Sequence, residues 1–200
     1  SSSSASSTTF SAVGPVGTAR TANRVVPAPA DESRTDLRQR VTDYLRSHHT
    51  MTIATAGPSA GTDDGPAAGG LGNAPHAASV FYAVDSSLRL IFLSKPSSLH
   101  GEHIGEGAAV AATITEPYDD WTAIQGVQLW GEARRLKGAA RVSALAVYLA
   151  RFPFVDDIIR RPGMASLMKG MGVYRVQPRR VAFTDNTTGV FGREILQLVE

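Results

Sequence analysis

"AIQGVQLWGEARRL", Ala123 to Leu136, is the stretch on which the fold turns. Val127, Leu129, Gly131 and Ala133 fall on one side of an extended chain; Gln128, Trp130 and Glu132 fall on the other. A period of two marks a half-buried strand, because successive side chains of an extended backbone point to opposite faces.

The same signature continues outward on both sides. Upstream, "TMTIATA" (50–56), "HAASVFYAVD" (76–85), "LRLIFLS" (88–94) and "AAVAATITE" (108–116) are rich in β-branched, aromatic or alternating apolar residues and are separated by turn residues. Downstream, "GAARVSALAVYLARFPF" (138–154) changes period and predicts a helix with Val142, Leu145, Leu149 and Phe152 on one stripe, halted by Pro153. A short helical or irregular piece follows through "VDDIIRRPGMASLMKGM" (155–171). Two more strands, "VYRVQP" (173–178) and "RRVAFTD" (179–185), then precede a tail, "NTTGVFGREILQLV" (186–199). Ahead of all the strands, "SRTDLRQRVTDYLRSHH" (33–49) predicts a helix: Leu37, Val41, Tyr44, Leu45 and His48 recur at helical spacing, and Ser33 with Asp36 reads as a capping box. This layout is mainly β within an α+β class, five to seven antiparallel strands in a small barrel with helices at its ends.

Composition bounds the organisation. With 200 residues, 42% hydrophobic and 19% charged, the chain reads as one soluble domain. Residues 1–33, rich in Ser, Ala, Thr and Pro, form an expected disordered tail before a domain at 34–200. The tail contains arginine and few acids, as organelle transit peptides do, but shows no clear amphipathic pattern. Within the domain, 57–73 reads as a flexible Gly/Ala loop. The net charge of +2 and the scattered pairs Arg134/Arg135, Arg160/Arg161 and Arg179/Arg180 argue against a nucleic-acid partner. No apolar run reaches the roughly 20 residues of a membrane span. The absence of cysteine excludes disulfides, thiolate metal sites and a cysteine nucleophile, and is compatible with a cytoplasmic location.

Chemistry is concentrated in "LRLIFLSKPSSLHGEHI" (88–104). Ser94, Lys95, Ser97, Ser98 and His100 offer hydroxyl donors and a countercharge suited to a phosphate, and the same Lys-Pro-Ser-Ser reads equally as a helix-capping turn. His100 and His103 have the i, i+3 spacing of a metal pair but lack an evident third ligand, so no metal is expected. The adjacent His48 and His49 end a helix, where imidazolium is favoured. A Walker loop, a Rossmann fingerprint, a nucleophile elbow and a defensible carboxylate pair are all missing, leaving the catalytic residues unknown.

Three of these stretches, "IQGVQLWGEARRL" (124–136), "VAFTDNTTGVFGREILQL" (181–198) and "SVFYAVD" (79–85), resemble the pyridoxamine-phosphate-oxidase-like flavin-binding split barrels, in a poorly characterised bacterial branch. The resemblance runs from about Asp36 to Val199. It implies a six-stranded antiparallel Greek-key split β-barrel with flanking helices, a homodimer, and FMN in a groove at the subunit interface. Ser94, Lys95, Ser97, Ser98 and His100 would then face the FMN phosphate. His76, Ala77 and Ser79 would lie along the ring, Gln125 and Gln128 would meet its polar edge, and Trp121 or Trp130 would stack on it or cover the groove. The branch has a basic residue directly before the histidine where this chain has Leu99, which leaves Lys95 as the cation of the turn. The expected activity is an FMN-dependent oxidoreductase moving electrons from a reduced nicotinamide to a small acceptor or oxygen, since a flavin carries its own redox chemistry. The alternative is a non-catalytic flavin- or haem-binding module, with His48, His49, His76, His100 or His103 as axial ligand. A deazaflavin is a further cofactor alternative, and pyridoxamine-phosphate oxidation itself the less favoured activity.

Overall fold

The computed structural model describes residues 31–57, 74–161, 170–189 and 192–198. The expected tail at 1–33 and loop at 57–73, and the middle of the 155–171 piece, lie almost entirely outside the described residues. Among the described residues no helix is long and apolar enough to cross a membrane.

Seven strands are present among the described residues: β1 (Thr50–Thr55), β2 (His76–Val84), β3 (Leu90–Ser94), β4 (Ala108–Thr115), β5 (Gln125–Arg135), β6 (Gly172–Asp185) and β7 (Arg193–Gln197). They run antiparallel in the order β3-β2-β1-β4-β5-β6-β7, and β3 also pairs with β6. That last pairing closes the first six strands into a barrel, with β7 added outside on the second half of β6. The interior is filled by the inward residues of every strand, among them Met51, Ile53, Tyr82, Phe92, Ile114, Val127, Leu129, Tyr174 and Val181. Full burial of such side chains is worth about 1.5–3 kcal/mol each.

The helix α1 (Asp31–Ser47) brings Leu37, Val41, Tyr44 and Leu45 into the same core, as their spacing predicts. Its Tyr44 hydroxyl donates to the Gln125 carbonyl at 3.0 Å, fixing the helix over the start of β5. The helix begins at Asp31, two residues before the expected cap, so Ser33 lies inside the first turn and Asp36 instead pairs with Arg40 at 2.9 Å. The short α2 (Leu99–Ile104) buries Ile104, His100 and His103 at the opposite end of the barrel.

The helix α3 (Gly138–Arg151) lies outside, where Ala144 and Tyr148 pack on Ala83, Ile91 and Val173. The predicted stripe is rotated: Val142 is 66% exposed, because Ala144 and Tyr148 take the inward positions. Pro153 ends this helix and opens α4 (Pro153–Ile159), where its missing N–H costs nothing.

Two sequence expectations are corrected at the C-terminal end. The stretches 173–178 and 179–185 form one fourteen-residue strand, β6, whose ladder shifts register between Trp130 and Gly131. Trp130 faces Arg180 and Gly131 faces Pro178, so Arg179 is the extra residue of a bulge. The bulge accommodates Pro178 and moves the inward phase from Tyr174 and Val176 to Val181 and Phe183. The tail after it contains β7.

Candidate functional site

The sequence-predicted residues divide between two surfaces of the barrel. On β1, Met51, Ile53 and Thr55 are buried, so Thr52 and Ala54 face outward. Register carries this phase across the sheet: Ala54 pairs with Ala77 on β2 and Ala111 on β4, and Ala111 pairs with Trp130 on β5. A second row beside it reads Ser79, Thr52, Thr113, Gln128. Two adjacent rungs of alanine, serine and threonine make a flat floor with little side-chain relief, and Trp130, 38% exposed, stands at its edge.

An open groove of about 720 Å³ runs along this face, lined by Ala54, Ala109, Ala111, Trp130, Glu132 and Arg179 among others. Its size is that of small-molecule and cofactor sites. Arg134 donates to Glu132 at 2.6 Å and holds its carboxyl below the usual carboxylate range. The groove therefore contains a fixed anion as well as cations.

The inward-facing members gather at the α2 end. Ser94 Oγ lies 2.6 Å from His100 Nε2, and Ser98 Oγ lies 3.1 Å from the same nitrogen. The His76 ring stacks parallel to His100 with centroids 5.8 Å apart, and His103 stands edge-on to His76 at 6.3 Å. Thr55 Oγ1 meets His103 Nδ1 at 3.1 Å. Burial, followed by the neighbouring imidazoles of His76 and His103, lowers the His100 pKa and favours its neutral form.

Ser98 is the N-cap of α2: its hydroxyl accepts from the Gly101 amide at 3.2 Å and donates to the Lys95 carbonyl at 2.7 Å. Gly101 packs tightly here, since a Cβ would fall 2.5 Å from the Lys95 carbonyl oxygen. Ser94 and His100 are thus turned inward and bonded to each other, while Lys95 and Ser97 are exposed on the outside of the turn.

The structure consequently unites Ala77, Ser79, Gln128 and Trp130 on the outer face, and Ser94, Ser98, His76 and His100 at the barrel end. His76 and Ala77, adjacent in sequence, point to opposite sides. Gln125 shares the inward phase of β5 and donates to Asp185 at 3.0 Å, away from Gln128. Trp121 lies on the short turn before β5, 54% exposed. His48 packs at the end of α1, its Nδ1 2.8 Å from the Tyr44 carbonyl, and His49 lies 3.1 Å from an Arg151 nitrogen. Sequence reasoning missed Ala54, Ala109, Ala111, Glu132 and Arg179; alternation in "TMTIAT" and "AAVAATIT" was the signal that would have placed the alanines together.

A closed six-stranded antiparallel barrel with flanking helices is a split-barrel fold, one that a solved protein of the pyridoxinephosphate oxidase family shares. The chain belongs to the UPF0306 family: it is 34% identical over 119 residues to the UPF0306 protein of Klebsiella pneumoniae strain 342, covering 59% of this chain and 73% of that one. It is also 33% identical over 122 residues to UPF0306 protein YhbP of Escherichia coli O157:H7, covering 60% and 75%. No family model matches the chain.

Three solved structures share the fold at low identity. A haem-binding protein from Mycobacterium smegmatis superposes with a TM-score of 0.55 at 19% identity, over 77% of this chain and 56% of that one. A Clostridium acetobutylicum protein of the pyridoxinephosphate oxidase family, related to general stress protein 26, gives 0.51 at 10% identity over 82% and 95%. An FAD-binding protein from Mesorhizobium loti gives 0.51 at 13% identity over 72% and 91%.

Proposed function

We propose that this protein binds a flavin, FMN or a deazaflavin of the same planar shape, on the outer face of β2, β1, β4 and β5. The observation that carries the reading is the flat floor of Ala77, Ala54, Ala111, Ser79, Thr52 and Thr113 ending at Trp130. Four neighbouring strands span about 14 Å, enough to seat a three-ring aromatic system. The polar groups suit that ring: the Gln128 amide and the Glu132 carboxylate, the latter as an acceptor, stand at the Trp130 edge for its polar side. Lys95 and Ser97 are exposed on the turn beyond β3 for the phosphate, and the bonded trio Ser94, Ser98 and His100 holds that turn from behind. Bound there, a flavin supplies hydride or single-electron transfer; the chain's part is to position it, donate hydrogen bonds to it and leave one face open to a small-molecule substrate. A second copy of the chain, laid on the same face, would enclose the cofactor in a homodimer.

A second reading, haem at the α2 end of the barrel rather than on the alanine floor, is favoured by the imidazoles of His76, His100 and His103, which cluster there beside the groove-lining Thr55 and Pro75. One absorption series decides. Purified protein titrated with FMN is expected to bind it and to bleach under a reduced nicotinamide, and Lys95→Ala is expected to weaken FMN affinity tenfold to a hundredfold, the size of one charge-assisted contact. Failure to take up FMN, or a Soret band that displaces flavin, would replace this reading.

A further inference from the structure

At the end of the floor away from Lys95, arginines scattered in the sequence converge. The guanidinium of Arg180 lies 5.2 Å and that of Arg193 5.9 Å from the centre of the Trp130 ring. Arg193 crosses from β7 and donates to the Gln128 side-chain oxygen at 2.8 Å, passing the small Ala182 that pairs with Gln128 in the ladder. The β6 bulge leaves Arg179 and Arg180 both exposed in succession, and Arg179 lines the groove.

The countercharge at this edge is Glu132, bonded to Arg134 at 2.6 Å and 3.5 Å from Arg179. Among the described residues no carboxylate pairs with Arg180 or Arg193. A guanidinium stacked on an aromatic ring is held in one plane while its N–H fork stays open for a bidentate oxyanion. Two such guanidiniums on one indole, Arg180 with its fork open and Arg193 with one N–H given to Gln128, together with a third arginine in the adjoining groove, form a preorganised anion site.

We infer that the Arg180–Trp130–Arg193 rim binds a phosphate-bearing small molecule, the substrate that reaches the open side of the flavin. This rests on the flavin reading for its redox role, but not for the binding itself. Lys95 follows Ser94, which pairs with Gly172 at the start of β6, and Arg180 lies eight residues further along that strand, roughly 25 Å away, so one phosphate cannot occupy both the rim and the Lys95 turn. Excess positive charge favours a dianion over a monocarboxylate.

The test is calorimetric titration of the full chain with inorganic pyrophosphate, with circular dichroism to confirm that each variant is folded. Wild type is expected to bind, the double variant Arg180→Gln, Arg193→Gln to bind at least tenfold more weakly, and Arg161→Gln, which removes an exposed arginine after α4, to bind as wild type does. No binding by wild type, or equal binding by the double variant, overturns the inference. FMN titration of the same proteins separates the two proposals. Should the double variant lose FMN and pyrophosphate together while Lys95→Ala keeps its FMN affinity, the rim holds the flavin phosphate and the two-site assignment falls. Should no protein take up FMN while pyrophosphate still distinguishes the double variant, only the flavin reading fails.

Discussion

His100 shows how one side chain can serve the fold and titrate against it. Its Nε2 sits within hydrogen-bond reach of two hydroxyls, and burial, with the imidazoles of His76 and His103 beside it, disfavours its charged form. Because its pKa is lowered in the folded state, the unfolded chain takes up the proton first as pH falls through about 6.5. Stability is therefore complete above that pH and declines below it, down to the folded-state pKa. Urea denaturation between pH 8 and 5 is expected to show this slope, and His100→Gln to flatten it. A wild-type profile level across that range would remove His100 from the account. The sequence exposed these imidazoles but not their grouping: His100 and His103 share a helix, whereas His76 arrives through the pairing of Thr55 with His76, a register that no local pattern encodes.

At the scale of elements, β6 is the instructive strand. Pro178 and the doubled arginine broke its alternation, so the sequence read as two strands where the sheet builds one. Period-two patterns survive a bulge only piecewise, since the extra residue reverses the phase. Gly131 is the other half of this joint. A Cβ there would lie 2.1 Å from the Gln177 carbonyl oxygen, which is backbone and unable to swing aside. Gly131→Ala is expected to cost about 2–3 kcal/mol in denaturant unfolding; a loss below 0.5 kcal/mol would show that the joint can relax. The helix-capping reading of the Lys-Pro-Ser-Ser turn was legible in the sequence and is realised at Ser98. The inward turn of Ser94 and His100 was not, because it follows from where β3 meets the barrel end.

For the whole molecule, the barrel could be read from alternation in five strands and from the resemblance, while the outer face could not. Its character depends on cross-strand pairing of Ala77, Ala54 and Ala111, residues too plain to draw notice one at a time. If a second copy covers this face, Ala111→Arg places a long cation at the seam. Sedimentation velocity is expected to show the wild type as a dimer and the variant as a monomer with FMN affinity reduced at least tenfold. A dimer that persists with Arg at 111 would move the seam to another surface.

The added strand β7 has a consequence of its own. Among the described residues it pairs on one side only, and an unpaired strand border invites further chains to stack onto it. Its first two residues are charged and tethered, Arg193 to Gln128 and Glu194 to Arg40 of α1 at 2.6 Å. Those tethers act as gatekeepers against aggregation, so neutralising both would be felt first as lost solubility at high concentration.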